Sequence, residues 1–186
     1  MNEKALMMFQ REVERQCWFA LMAHDDLHEA LREDDMRRVW FSVQALLVAL
    51  GNVSKLLWPI KGRGDAERGD RLRETLSVDA DSPLRLIRIV RDHFEHFDER
   101  LDEWARTSEN LDYADSNVGI SPGKGVEYWF ADSEYLRNIY RTDYPRIFAI
   151  AFRGEDFDLL PVIEAVRELE DRAADASRDL PGRGRM

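Results

Sequence analysis

The sequence is poor in the features that mark disulfide-rich, membrane-spanning and broadly nucleic-acid-binding proteins. Its 186 residues include one cysteine, Cys17, which excludes an internal disulfide and a zinc site made of cysteines alone. Apolar runs such as residues 45–50 are far below the roughly 20 residues that cross a bilayer. Lys and Arg total 27 against 37 Asp and Glu, a formal charge of −10, which argues against nucleic-acid binding by the whole surface.

The remaining composition is that of one globular domain. Hydrophobic residues make up 44% of the chain and charged residues 34%, enough for a normal core and a polar surface. Residues 1–10 carry Glu3 and Lys4 and no long apolar stretch, so no signal peptide is expected. We therefore expect a cytoplasmic protein that does not contact a membrane.

Helical periodicity dominates residues 1–105. No proline or glycine occurs over residues 3–31, which predicts a first helix, and a second should run from the acidic segment 33–35 to about Trp58. A shorter helix is expected over 66–78. Asp81 or Ser82 can cap a fourth helix that has Pro83 at its first position. This helix is predicted to reach about residue 105 because its apolar stripe is Leu84, Ile87, Val90, Phe94, Phe97, Leu101 and Trp104.

The sequence beyond residue 105 has a different character. Residues 107–126 are rich in Ser, Asn, Asp and Gly and predict a long loop, followed by strands over 127–131, 135–141 and 146–152. Asp158 can cap a last helix that reaches about residue 173, and residues 178–186 are expected to be disordered. The predicted fold is mainly α, α+β overall: a helical bundle (1–105), then a small antiparallel β-meander and a C-terminal helix (106–177).

The four histidines form two pairs with helical spacing. His24 and His28 are four residues apart on the apolar stripe of the first helix, and His93 and His96 are three apart on the fourth. Imidazoles paired on two helices are a pattern of metal-binding bundles, so one hypothesis is a metal site made by all four. The other interpretation is that hydrogen bonds to neighbouring helices hold these histidines inside the bundle.

One segment combines an arginine, a polar residue, three further residues and a histidine: Arg91, Asp92 and His96. It resembles the R-x4-6-H motif of the HEPN superfamily (higher eukaryotes and prokaryotes nucleotide-binding). Members are small helical bundles, and many are metal-independent ribonucleases that act as toxins or phage-defence effectors. The resemblance implies a homodimer in which the motif helices of two chains face each other, with Arg91 and His96 as the catalytic pair and no cofactor. Asp92 would support them, although asparagine is common at this position in the family.

The chemistry of RNA cleavage fits these residue types. Attack by the 2′-hydroxyl needs a group that takes up and releases a proton near neutral pH, which imidazole provides, and a fixed cation at the phosphate, which guanidinium provides. Five positions along a helix correspond to a rotation of roughly 140° and a rise of roughly 7.5 Å. Arg91 and His96 of one chain would therefore point apart, so a dimer or a distortion of the helix is required.

A non-catalytic interpretation also stays open. Arg88, Asp92 and His96 are spaced four apart and would make ordinary surface pairs on a solvated helix. The bundle would then be a non-catalytic module that binds a protein or a nucleotide. In the ribonuclease interpretation, Arg85, Arg88 and Arg91 form a small basic patch for RNA, and a regulatory protein partner is a further candidate.

Overall fold

The structure, a computed structural model, describes residues 1–59, 66–90, 96–109, 113–114, 117–120, 134–135, 137–143, 146–152 and 155–178. This part of the chain is mainly helical, which confirms the predicted fold class. Residues 87–90 are helical and follow a 3₁₀ turn at Pro83–Arg85. The longer helices are α1 (Glu3–Arg32), α2 (Met36–Leu57), α3 (Ala66–Thr75), α4 (Phe97–Thr107) and α5 (Leu160–Ala176).

The first two helices form a tight hairpin, and their predicted bounds are confirmed to within one residue. Asp34 adopts a left-handed conformation (φ 59°), and the amide of Asp35 donates to the carbonyl of Ala30 (2.9 Å), which ends α1. The Asp35 carboxylate then accepts the backbone N–H of Arg38 (3.1 Å) and caps α2. The short acidic segment 33–35 therefore reverses the chain.

Among the residues that the structure describes, one hydrophobic core lies between α1, α2, the segment 84–90 and α5. Leu46, Leu50 and Leu57 of α2 are fully buried in it. Val13 and Cys17 on the predicted stripe of α1 are also inaccessible. The hydroxyl of Ser177, just after α5, donates to the carboxylate of Glu14 (2.7 Å), so the end of the described chain is joined to its beginning.

By length and composition α2 could span a membrane, because its most apolar stretch has a mean hydropathy of 1.4. However, 56% of that stretch is buried inside the bundle. A central core helix has the same composition, so this is weak evidence for a membrane span.

The predicted start of the fourth helix is confirmed, but its continuity is not. Ser82 is the N-cap and Pro83 follows it, while Leu84, Ile87 and Val90 are buried as expected. His96 has non-helical dihedral angles (φ −106°, ψ 32°) and a new helix, α4, starts after it. The prediction of one helix to residue 105 is therefore wrong. Asp98 and Glu99 explain the new start, because acidic residues stabilise the first turn of a helix.

The β region contains a four-stranded sheet. Its order is β2 (Asn117–Ile120), β4 (Arg137–Asp143), β5 (Arg146–Phe152) and β6 (Glu155–Asp158). Strands β4, β5 and β6 are antiparallel neighbours, whereas β2 pairs with β4 in parallel. A separate parallel pair joins β1 (Tyr113–Ala114) and β3 (Glu134–Tyr135).

This sheet agrees with the prediction only in part. The strand over 146–152 is confirmed and the one over 135–141 is shifted by two residues, whereas 127–131 lies outside the described residues. The expected loop over 107–126 is wrong where β1 and β2 form. The edge strand β2 pairs in parallel, so the sheet is not purely an antiparallel meander. Ile150 and Phe157 join the core of the bundle, and the Asp158 carboxylate accepts the N–H of Leu160 (2.9 Å) at the start of α5.

Candidate functional site

Of the motif that resembles HEPN ribonucleases, the structure describes only the last residue, His96. Arg91, Asp92 and His93 lie outside the described residues, so the structure shows no contact between them and His96. The surroundings are described on both sides: the helical residues 87–90 before the motif and α4 after it.

His96 lies at the junction before α4, with 48% of its side chain exposed. Its Nδ1 atom is 3.1 Å from Oε1 of Glu99, which lies in the first turn of α4. A carboxylate at this distance orients the imidazole and fixes which ring nitrogen carries the proton. Because the backbone of His96 is not helical, the separation expected for an unbroken helix does not apply at this residue.

An open groove of about 440 Å³ lies beside residues 81–89, which precede the motif in the chain. Trp58 and Ser54 contribute one wall from the end of α2, and residues 81–89 contribute the other. Arg85 and Arg88, two of the three arginines of the predicted basic patch, line it. The Arg85 guanidinium donates to the carbonyl of Ala80 (2.9 Å).

Arg88 is the cation in this groove that is best placed to meet a ligand. It is exposed, and no ion partner of Arg88 lies within the described part of the chain. Ile89 beside it is 51% exposed, and Trp58, whose ring centroid lies 5.8 Å from the guanidinium carbon of Arg73, forms an aromatic part of the opposite wall. A guanidinium next to an aromatic ring can bind a phosphate and stack a base at once. Asp81 on the rim adds a negative charge that reduces the positive potential there.

The first histidine pair is close in space. The Nε2 atoms of His24 and His28 are 3.1 Å apart, and their rings meet edge to face with centroids 4.5 Å apart. Burial lowers the pKa of His24 below its usual value of 6.5, against the opposing effect of Asp25, and Arg167 on α5 lowers it further. The neutral imidazole is therefore favoured in the folded protein.

The hypothesis of a four-histidine metal site gains no support from this geometry. Among the described residues, no group of three or more His, Cys, Asp or Glu side chains is arranged to hold a metal ion. His24 and His28 instead hydrogen-bond to each other. His93 lies outside the described residues, so the second pair is untested.

Sequence reasoning missed a polar cluster between α1 and α2. The Asp26 carboxylate accepts hydrogen bonds from the Arg38 guanidinium (Nε, 2.9 Å) and from the buried hydroxyl of Ser42. Arg38 also pairs with Glu33 (2.7 Å). These hydrogen bonds hold the pKa of Asp26 below its usual value. The cluster connects the two helices next to their turn, which indicates a structural role.

Sequence reasoning also missed an exposed apolar surface on the α1–α2 hairpin. Among the described residues, eight large hydrophobic side chains are exposed and seven of them belong to this hairpin. The most exposed is Phe41, at 72%. The buried apolar stripe on the opposite side of α1 already explains the helical periodicity of this helix. The sequence pattern therefore predicts no function for the exposed apolar residues. The seven are Met8, Trp18, Phe19, Met22, Met36, Phe41 and Val48.

Comparison with protein-family models, curated proteins and solved structures finds no match to this chain. The resemblance to HEPN proteins therefore rests on the motif alone. The groove, the histidines and the exposed apolar surface are the structural features that bear on function.

Proposed function

We propose that this protein binds RNA along the groove lined by Arg85, Arg88 and Trp58 and cleaves it without a metal ion. The observation that carries the proposal is the position of this groove directly before Arg91 and His96 in the chain. A basic groove with an aromatic wall suits single-stranded RNA, because guanidinium binds phosphate and indole stacks on any base.

In this proposal His96 takes the proton of the 2′-hydroxyl as its oxygen bonds to phosphorus, and returns a proton to the 5′-oxygen as the P–O5′ bond breaks. Arg91 stabilises the charge on the phosphate. Glu99, 3.1 Å from His96, orients the imidazole. Asp92 would support the pair, as the family motif implies. A fixed cation near the phosphate stabilises the transition state more than the substrate, because the negative charge on the phosphate oxygens increases there.

The first test is cleavage of a mixed RNA pool in excess EDTA by the wild type and by the Arg91→Ala and His96→Ala variants. We expect cleavage by the wild type and its loss in both variants, while circular dichroism shows that they fold. Retention of activity in both variants would remove the motif from the mechanism. If the wild type neither cleaves nor binds RNA, the proposal is wrong.

The groove is tested separately by RNA affinity. Arg88→Ala should weaken binding of a single-stranded RNA and reduce the slope of log affinity against log salt by roughly 1, because one phosphate contact is lost. Arg37→Ala is the matched control, since Arg37 is also an exposed helical arginine and does not line the groove. Fluorescence anisotropy at several salt concentrations measures both. Equal effects of the two substitutions would exclude the groove as the RNA site.

A second candidate function is a non-catalytic interaction module. The exposed large apolar side chains of the α1–α2 hairpin favour it, because exposed apolar surface on a folded domain commonly marks protein contacts. A folded wild type that binds a partner protein, cleaves no RNA and keeps its partner affinity in His96→Ala would support this function over the ribonuclease. A role as a toxin or phage-defence effector, under a regulatory partner, stays a prediction.

A further inference from the structure

One stripe of α1 lies away from the core and has the spacing of a helix-pairing seam. Its members alternate four and three residues apart, the repeat that brings side chains onto one face of a helix in coiled coils. All are exposed except Arg11, which is half-buried. The stripe consists of Lys4, Met8, Arg11, Arg15, Trp18, Met22, Asp25 and Glu29.

The charge of this stripe changes sign at its centre. Its N-terminal half carries Lys4, Arg11 and Arg15, and its C-terminal half carries Asp25 and Glu29. The centre is apolar: Trp18 is 44% exposed and Met22 53% exposed. Phe19, with its ring centroid 5.4 Å from that of Trp18, widens this centre.

From this pattern we propose that a second copy of the chain docks on the α1 stripe in antiparallel orientation. With the two-fold axis at the level of residue 20, Arg11 faces Glu29 of the other copy and Arg15 faces its Asp25. Trp18 then packs on Met22 of the other copy. Because the axis makes each contact twice, one stripe supplies both surfaces of the interface.

The charges select both the occupant and its direction. A parallel copy would place Arg15 against Arg15 and Asp25 against Asp25, and like charges at this distance repel. An antiparallel copy places Arg11 and Arg15 opposite acidic side chains. The present partners of these groups are weak: Arg15 pairs with Glu12 (2.8 Å), Asp25 is 3.3 Å from His24, and Glu29 is 3.6 Å from Arg38.

The stripe is long enough for a stable interface. From Lys4 to Glu29 it extends roughly 38 Å at 1.5 Å per residue. Phe41 and Val48 of α2, exposed by 72% and 56%, add apolar surface on the neighbouring helix of the hairpin. A standard interface needs roughly 800 Å² from each partner, and Trp18, Phe19 and Met22 place large exposed side chains at the centre of this length.

This dimer is independent of the ribonuclease proposal and gives the interaction module a specific partner. No residue of the stripe lines the groove beside Arg88. The motif helices that face each other in a HEPN-type dimer are not part of this contact. Failure of the RNA tests would therefore leave the α1 dimer unaffected. Charge reversals without effect on a dimer would leave the groove unaffected, whereas a wild type that stays monomeric would also count against a composite HEPN-type site.

Sedimentation equilibrium of the full chain tests the proposal. The wild type should dimerise, and Arg15→Glu and Asp25→Arg should each raise the dimer dissociation constant about tenfold or more, because each reversal places like charges opposite each other twice. The double variant, with both changes in one chain, should return close to the wild-type dissociation constant. Glu164→Arg, an exposed charge reversal on α5, is the matched control and should have no effect.

Mixing the two single variants gives the sharpest result. One chain then has two acidic groups at positions 15 and 25 and the other has two basic groups, so a heterodimer should form at concentrations at which each variant alone is mainly monomeric. Circular dichroism confirms that each variant is folded. A wild type that stays monomeric at its highest soluble concentration, or reversals without effect on a dimer, would overturn the proposal.

Discussion

Asp26 connects α1 to α2 through several hydrogen bonds near the turn of the hairpin. Its carboxylate accepts hydrogen bonds from Arg38 and Ser42, and Ser42 is 1% exposed. A buried hydroxyl that loses its acceptor is left without a hydrogen bond, which costs more than the net value of the bond itself. Arg38 also pairs with Glu33, so the same cluster holds the turn over 33–35.

Asp26→Ala should therefore destabilise the fold by about 1 kcal/mol, a modest value because the carboxylate is partly exposed. Urea denaturation measures the free energy of unfolding. The change should be smaller in a Ser42→Ala background, since that protein has no buried hydroxyl to satisfy. Equal effects in both backgrounds would show that Ser42 and Asp26 are not coupled.

His24 makes stability depend on pH in the acid range. Its pKa is lowered in the fold, so below pH 6.5 the unfolded chain binds more protons than the folded one. Stability should fall as the pH drops from about 7 to about 5, and His24→Gln should reduce that loss. His96→Gln, at an exposed site, is the control. The free energy of unfolding at several pH values is the measurement, and identical pH profiles for wild type and His24→Gln would contradict this assignment.

Among the structural elements, prediction from sequence succeeded where helical periodicity had clear ends. α1 and α2 have caps at Asn2 and Asp35, and the acidic turn between them contains no competing signal. The break at His96 was missed because the apolar spacing continues across it to Trp104, although Asp98 and Glu99 were a visible sign of a new helix. Strand β2 was missed because its glycine and polar neighbours predict a loop.

The backbone of α3 lies unusually close to the end of α2 at Gly69. A Cβ atom on Gly69 would lie 2.6 Å from Cδ of Pro59 and 2.9 Å from the carbonyl oxygen of Leu57. Gly-to-Ala substitutions inside helices usually stabilise them. At this position the added methyl group would force α3 away from the end of α2.

Gly69→Ala should accordingly destabilise the protein by about 1–3 kcal/mol, the usual cost of overpacking. Glu74→Ala, an exposed position of the same helix, should be near neutral. Thermal unfolding of the two variants compares them directly. A gain in stability for Gly69→Ala would mean that α3 shifts without cost.

For the whole molecule, the sequence predicted the bundle and part of the candidate site. The arginines at 85 and 88 were expected to form a basic patch, and both line the groove. The sequence did not predict Trp58 in this groove. Trp58 and Asp81 line it together only because the end of α2 packs against a segment more than twenty residues later in the chain. The exposed α1 stripe could be recognised in the sequence only as residues that lie outside the apolar core positions of the helix.

The contact between the two ends of the described chain has a consequence for protein synthesis. Glu14 and Ser177 are 163 positions apart, and α5 supplies one wall of the core around α1. At ribosome speeds of roughly 5–20 residues per second, α1 and α2 wait on the order of ten seconds for α5 to emerge. The nascent hairpin therefore exposes its core face as well as its outer apolar face during this interval, and such transiently exposed apolar surface promotes aggregation.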